Sequence, residues 1–347
     1  MQENNVRRAP VVNLAHAAFN MRNEEEMLHF YRDILGMKEL FTLTLRPVLD
    51  RLSGEGADEE SIAPDKQEYL HWLREAADRP WITYLKLADG QFLELFHNLG
   101  RFSRIIPDRR AVYGYTKLNY EVDDVLALKE HLAAAGVELK DDYHPTIDGA
   151  FEISVLDPDG NEVQFTQYGG HARITHAADP AHRSLSRVNY TTQVAFDVQD
   201  TAGMPAFYGT GLGLTKKLTL TAGDLAEAVG RSGHADPAML DALMSRTEKP
   251  WIEYYEAGPH QYIELFYSLG GPELKEDRNL EDAFGYQHIC LEVSDIHAAW
   301  DAVTANGLKP ETDITLGLAG ALQFWLRDPD GNRIEMMQYL EDSLQRR

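Results

Sequence analysis

Cysteine is nearly absent from this sequence: among 347 residues only Cys290 carries a thiol. It cannot close an internal disulfide, and it has no Cys partner for a thiolate metal cluster. Any bound metal must therefore be held by His, Glu, Asp or Gln. Basic residues are also scarce, with 33 Lys and Arg against 56 Asp and Glu, a formal charge of -23 and a pI near 4.9. Nucleic acids and anionic membrane surfaces need clustered Lys and Arg, so both are set aside as partners, and a small molecule becomes the default. No uninterrupted run of about 18 apolar residues occurs, which argues against a membrane-spanning helix. The opening MQENNVRRAP lacks the apolar core of a secretory signal. A soluble, cytoplasmic protein is expected. What is present is globular in composition, 44% hydrophobic and 26% charged, with length enough for two cores. Assembly into a homodimer is left open.

The informative feature is a repeat. PWITYLKLADGQFLELF (80–96) returns as PWIEYYEAGPHQYIELF (250–266), and LDPDGNEVQFTQY (156–168) as RDPDGNRIEMMQY (327–339). Trp81 maps to Trp251 with a shift of 170, and Gly160 to Gly331 with a shift of 171. The chain is a duplication, with halves at 1–170 and 187–347 joined by a linker at 171–186. Where the copies differ at polar positions within apolar strands, chemistry has been kept in one and lost in another.

Each half divides again, because every quarter opens with an alternating strand and a helix and closes on strands; the quarters span 10–97, 113–168, 187–267 and 285–340. VVNLAHAAFNM (11–21) precedes a helix whose Met27, Phe30, Tyr31 and Leu35 fall at helical spacing and whose stop is Gly36. The second quarter carries a helix with Asp123 or Asp124 as N-cap and Gly136 at its end, then a hairpin turning at Asp159-Gly160. In the third, MPAFYGTGLGL matches HFYRDILGM, placing Phe207 on Phe30 and Gly213 on Gly36. The fourth has GYQHICLEV (285–293), then the helix SDIHAAWDAVTANGL. Both halves also carry an insertion, roughly 44–79 and 217–248, each with an amphipathic helix that either caps the sheet edge or forms a lid.

Other motifs read as structure. DPDGN starts like a calcium-binding loop, but its glycine comes too early and the twelfth position from Asp157 is Tyr168 rather than Glu; it is a hairpin turn. GTGLGL (209–214) follows a helix instead of opening one, so it terminates a helix rather than cradling a dinucleotide. Cys290 sits among Leu, Ile and Val as a buried, inert thiol. Trp81 and Trp251 are shared strand anchors. His171, His176 and His182 fall in a connector.

His16 in HAAF with FYRDILGM after it, His288 in HICLEV, the DPDGN turns and the terminal GNRIEMMQY together resemble the vicinal oxygen chelate (VOC) superfamily, the glyoxalase, bleomycin-resistance and extradiol dioxygenase fold. The resemblance covers nearly the whole chain. It implies an α+β fold of four βαβββ modules pairing into two cupped barrels, with helical insertions in modules one and three. It also implies metal ligands on the first and last strands of each module, facing the hollow.

Strand alternation points to the same positions. His288 shares a face with Cys290 while Ile289 and Leu291 take the other; Glu335 lies with Met337 and Tyr339, His16 with Ala18, Glu94 with Phe96. Imidazoles and carboxylates on such apolar faces cost several kcal/mol unless paired or bound to a cation. The equivalent positions are His16, Lys117, Gln193 and His288 on first strands, and Glu94, Gln164, Glu264 and Glu335 on last strands. The second module has lost both ligands, and Lys117 places a permanent charge where a cation would sit. One metal site is expected, not two.

If module one joins module four, the set is His16, Glu94, His288 and Glu335, resembling bacterial-type glyoxalase I; if module three joins module four, Gln193 and Glu264 replace His16 and Glu94. The first pairing is preferred, because it leaves Lys117 and Gln164 in the other hollow. Such a site suits one divalent ion, Ni, Zn, Co, Mn or Fe. The resemblance gives Glu335 the role of general base, with Glu94 as its partner, in a glyoxalase-like lyase or isomerase acting on a substrate with two vicinal oxygens. The alternatives are an extradiol-type ring-cleaving dioxygenase and a metal-free protein that binds or sequesters an aromatic or cationic ligand.

Overall fold

A computed structural model describes residues 6–54, 64–105, 113–174, 187–231, 236–269 and 282–347. The connector expected at 171–186 falls largely outside these, as do His176 and His182. The first module runs β1 (Val11–Asn20), α1 (Glu24–Leu28), β2 (Lys38–Thr44), α2 (Arg46–Gly54), α3 (Pro64–Ala76), β3 (Pro80–Ala88) and β4 (Gln91–Phe96). The second runs β5 (Gly114–Glu121), α4 (Val125–Ala134), β6 (Leu139–Pro145), β7 (Phe151–Leu156) and β8 (Glu162–Gln167). The third has β9 (Tyr190–Val198), α5 (Gly203–Ala206), β10 (Thr215–Thr221), α6 (Ala222–Arg231), α7 (Pro237–Met244), β11 (Pro250–Gly258) and β12 (Gln261–Tyr267). The fourth has β13 (Gly285–Val293), α8 (Ile296–Ala305), β14 (Thr315–Leu316), β15 (Ala321–Arg327) and β16 (Arg333–Tyr339). This is the α+β arrangement of four βαβββ modules anticipated from the sequence, with helical insertions in the first and third.

Local chemistry explains most boundaries. Asp124 caps α4 by accepting from the Leu126 and Ala127 amides, and Asp295 does the same for α8. Gly36, Gly136 and Gly213 all take positive φ at helix ends, as a left-handed C-terminal stop requires. Two details differ from the sequence reading. The first helix widens into a π-turn over His29–Ile34, closed by Leu35 N to Phe30 O, and Phe207–Gly211 repeats it in the third module. Each insertion also holds two helices rather than one, and the second insertion begins only after Thr221. Its extra helix, α6, is announced by reciprocal bonds between Thr221 and Asp224, a capping box spelled T-x-x-D.

Two curled eight-stranded sheets result, ordered β14-β15-β16-β13-β1-β4-β3-β2 and β10-β11-β12-β9-β5-β8-β7-β6. Antiparallel β1 and β13 join module one to module four, while antiparallel β5 and β9 join module two to module three. Each sheet thus draws on both sequence halves, and the pairing that would bring Gln193 and Glu264 to His288 and Glu335 does not occur.

Alternation along each strand separates two kinds of interior. One face of β1 and β13, with Leu14, Ala17, Phe19, Ile289 and Leu291, enters the main core under the helices. The other face closes a smaller cluster inside the first cup, with Ala18, Phe96, Cys290, Met337 and Tyr339. In the second cup, Tyr254, Tyr262 and Ile252 form the corresponding cluster.

The repeated DPDGN turns do more than reverse the chain. Asp159 accepts from the Arg22 and Asn23 amides at the start of α1, and Tyr31 donates to Asp157 at 2.9 Å. In the other copy Asp330 accepts from the Gln199 and Asp200 amides, and Tyr208 donates to Asp328 at 3.0 Å. The turns therefore fasten module two to one and module four to three, while the strands fasten one to four and two to three. A closed ring of four contacts follows.

Because Asp328 also accepts from the Asn332 amide and side chain in a fully buried setting, Asp328→Ala should strand several donors. Urea unfolding is expected to show a loss on the order of 3 kcal/mol, with a smaller loss, about 1 kcal/mol, for Tyr208→Phe.

Candidate metal centre

Register fixes the equivalence of the four polar pairs. On β4, Glu94 lies opposite Ala18, two residues beyond His16 on β1; on β16, Glu335 lies opposite Cys290, two beyond His288 on β13. Gln164 faces Asn119, two beyond Lys117, and Glu264 faces Ala195, two beyond Gln193. The two central strands of the first sheet then bring the module-one and module-four pairs together.

His16, Glu94, His288 and Glu335 meet at the floor of the first cup, each no more than 3% exposed. His16 Nε2 lies 3.3 Å from Glu94 Oε1, 3.2 Å from Glu335 Oε2 and 3.2 Å from His288 Nε2. His288 Nε2 lies 3.6 Å from both Glu94 Oε2 and Glu335 Oε2. Both imidazoles thus aim the same nitrogen at the same two carboxylates. The structure brings together the four residues singled out in the sequence.

The electrostatics show how tightly the four are coupled. Burial alone would drive His16 neutral, but Glu94 and Glu335 reverse this and hold its pKa above the ordinary imidazole value. Burial pushes His288 the other way, and the neighbouring His16 adds to that. Burial would raise Glu335, but the adjoining imidazoles, His16 first and then His288, pull it below the usual carboxylate range.

Side chains around the four set their orientation. The Gln287 side-chain oxygen bonds His288 Nδ1, so that nitrogen carries the proton and Nε2 presents its lone pair to the centre. Trp325 and Phe96 pack edge-on against the His288 ring, with centroids at 4.8 and 6.2 Å. Tyr84 lies opposite Glu94 across the β3–β4 hairpin, and burial beside Glu94 and Glu335 raises its phenol well above the ordinary value. Sequence reasoning missed Gln287 and Tyr84. The repeat signalled Tyr84, since PWITY and PWIEY keep that tyrosine opposite Glu94 and Glu264. Cys290, fully buried, lies near enough that one atom each from His16, Cys290 and Glu335 falls within 4.8 Å of the others. Burial raises its thiol strongly, with Glu335 and Glu94 adding to the effect, consistent with an inert group.

The second cup collects the remaining four positions. Lys117 Nζ stands 3.5 Å from Glu264 Oε2 and 5.1 Å from the Phe266 ring centroid. Tyr254 donates to Glu264 Oε1 at 2.8 Å. The Gln193 amide is bonded at both ends, accepting from Asn119 and donating to Tyr168. Burial lowers the Lys117 pKa, yet Glu264, Glu152 and Glu162 outweigh it and leave it raised; burial raises Glu264. An ammonium-carboxylate pair thus occupies the place that the imidazoles and carboxylates fill in the first cup.

A profile of the Glyoxalase/Bleomycin resistance protein/Dioxygenase superfamily matches residues 13–165 and again 187–336, and the chain belongs to that superfamily. Among solved structures, glyoxalase I from Zea mays is similar at 17% identity, with a TM-score of 0.55 over 94% of this chain and 92% of that one. A protein from Bacillus subtilis described as a putative dioxygenase gives 12% identity and a TM-score of 0.58 over 95% and 86%. At such identities the likeness is one of fold. A search of curated protein sequences finds no significant match. Among the described residues, no helix is long and apolar enough to cross a membrane.

At the rim of the second cup, Glu152 lies 3.0 Å from His144 Nε2 and is the main reason that imidazole is raised from 6.5 to about 9. A raised folded value means the pair stabilises fully below about pH 6.5 and stops doing so as pH climbs through about 9. An NMR titration should place His144 near that value, and Glu152→Gln should return it toward 6.5; an unchanged midpoint in the variant would remove Glu152 as the cause.

Proposed function

We propose that the first cup holds one divalent metal ion through His16, Glu94, His288 and Glu335, and that the protein is a glyoxalase-like lyase or isomerase. The observation that carries this reading is the convergence of two imidazoles and two carboxylates within 3.2 to 3.6 Å, all buried. Two carboxylates and two neutral imidazoles need two positive charges for balance, which one divalent ion supplies without protonating either ring. Nitrogen and carboxylate donors in this ratio suit Ni, Zn, Co, Mn or ferrous iron. When bound, the ion would act as a Lewis acid toward a substrate presenting two vicinal oxygens, acidifying the carbon-hydrogen bond beside them.

The protein's own groups would do the rest. Glu335 would take the carbon proton as general base and return it to the neighbouring carbon, a role supported by its place between both imidazoles. Glu94 faces it across the same two rings, with Tyr84 opposite it on β3. Gln287 holds His288 in the tautomer that offers Nε2 inward. The apolar wall of Phe96, Met337 and Tyr339 keeps water from the transferred proton.

A second reading follows from a subset of the same donors. His16, Glu94 and His288 form a group of two histidines and one carboxylate, the donor set of non-haem iron oxygenases, so ring-cleaving dioxygenation is the competing chemistry.

Elemental analysis of the purified protein is expected to give about one metal ion per chain, falling to background in His288→Ala. Metal-reconstituted protein should isomerise the hemithioacetal of a 2-oxoaldehyde with glutathione or a small thiol, and Glu335→Gln should lower that rate about 10²- to 10⁴-fold while keeping the metal. Oxygen consumption with a catechol instead would favour the dioxygenase reading, and protein without metal even after reconstitution would sink both. Gln287→Leu should weaken metal affinity about 10- to 100-fold, measured by competition with a chromogenic chelator.

A further inference from the structure

The second cup encloses a cavity of about 560 Å³, within the size range typical of small-molecule sites. Its chemistry is unlike that of the first cup. Five carboxylates line it, from Asp141, Asp148, Glu152, Glu162 and Glu264, against Lys117 and His144. Even with Lys140, which pairs with Glu162 and Asp141 from the edge, acids outnumber cations five to three. One wall is apolar and aromatic, formed by Trp251, Phe266 and Tyr254. Helix α6 contributes Leu225, Ala228 and Val229, so in this half the insertion covers the hollow.

Two buried oxygens give the site its polarity. Gln164, 5% exposed and lining the cavity, finds no hydrogen-bond donor for Oε1 among the described residues. Glu264, 1% exposed, is ion-paired at Oε2 with the Lys117 ammonium at 3.5 Å. A buried acceptor left without a donor is costly, a penalty that a donor from a ligand would remove at Gln164. The Phe266 ring already faces one ammonium, that of Lys117, at cation-π distance.

We infer that the second cup is a metal-independent binding site for a small organic cation, a primary ammonium carried on an apolar or aromatic arm. The ammonium donates to Gln164 Oε1 and is balanced by the surrounding carboxylates, and the arm lies against Trp251 and Phe266. Replacement of the two imidazoles by Lys117 and Gln193, and of one carboxylate by Gln164, thus changes the ligand class of the cup from metal to organic amine. The protein carries two sites of different chemistry on one repeated scaffold.

Isothermal titration of the full-length, EDTA-treated protein with 2-phenylethylamine, 2-phenylethanol and phenylacetate tests this. The amine is expected to bind at least tenfold more tightly than the alcohol or the acid, with that preference lost in Gln164→Leu and binding weakened at least tenfold in Trp251→Leu. His288→Ala should leave amine binding unchanged. Absence of amine binding, equal binding of all three probes, or indifference to Gln164→Leu and Trp251→Leu in variants that keep the wild-type melting temperature would overturn the inference. Loss of binding in His288→Ala would do so too, because it would place the amine in the other cup.

Discussion

Two carboxylates and two imidazoles brought together without solvent are the constraint on which the rest of this molecule turns. Each of these groups alone would be costly on the apolar face of a buried strand, and together they are tolerable only because the geometry lets each compensate another. Four strands must hold register for this to happen. The antiparallel seam between β1 and β13 sets His16 opposite Cys290 and Ala18 opposite His288, and parallel β4 and β16 flank it to supply the acids. A slip of one residue in any of them would turn a charged side chain into the helix-covered core. The thick aliphatic layer behind the seam, with Leu14, Ala17, Ile289 and Leu291, makes such slips prohibitive.

The two cups show how a duplicated scaffold diverges with little change to its backbone. Both use the same register, and both keep a tyrosine opposite the first-strand-facing glutamate, Tyr84 opposite Glu94 and Tyr254 opposite Glu264. What differs is the charge on a handful of side chains. Where histidine stands in one cup, an ammonium and an amide stand in the other, and the amide of Gln193 is consumed by Asn119 and Tyr168. An ion pair between Lys117 and Glu264 is thereby left as the polar centre of a roomier hollow.

Much of this was legible in the sequence, and for identifiable reasons. The period-two alternation around His16, Glu94, His288 and Glu335 fixed which residues share a face, and the repeat fixed which positions are equivalent. The α+β architecture followed from strand, helix and turn signals that agree with one another. Module pairing was less accessible, because the edges of β1, β9 and β13 carry similar patterns and nothing local tells one seam from another. It is decided by contacts far apart in the chain: the DPDGN carboxylates that reach the start of a neighbouring module, and Gln91, whose amide bonds Leu14 in one sheet and Thr191 in the other. The second helix of each insertion was overlooked for a different reason. Its signal in the third module is a short T-x-x-D box directly after a strand, where alternation still suggests that the strand continues.

The order of pairing also has a consequence for how the molecule comes into being. Modules two and three are neighbours along the chain, so their seam can close once β12 has left the ribosome. His16 and His288 lie 272 residues apart, and Glu335 comes later still, on the last strand. The donor-rich cup therefore stays open until β16 has been made, with β1 covered on one edge by β4 and its other edge waiting for β13. Long-range closure of this kind is slow and leaves unpaired strand edges exposed to association. The nascent chain thus has every strand of its lysine-bearing cup before β13 and β16, which the histidine cup requires, have been made.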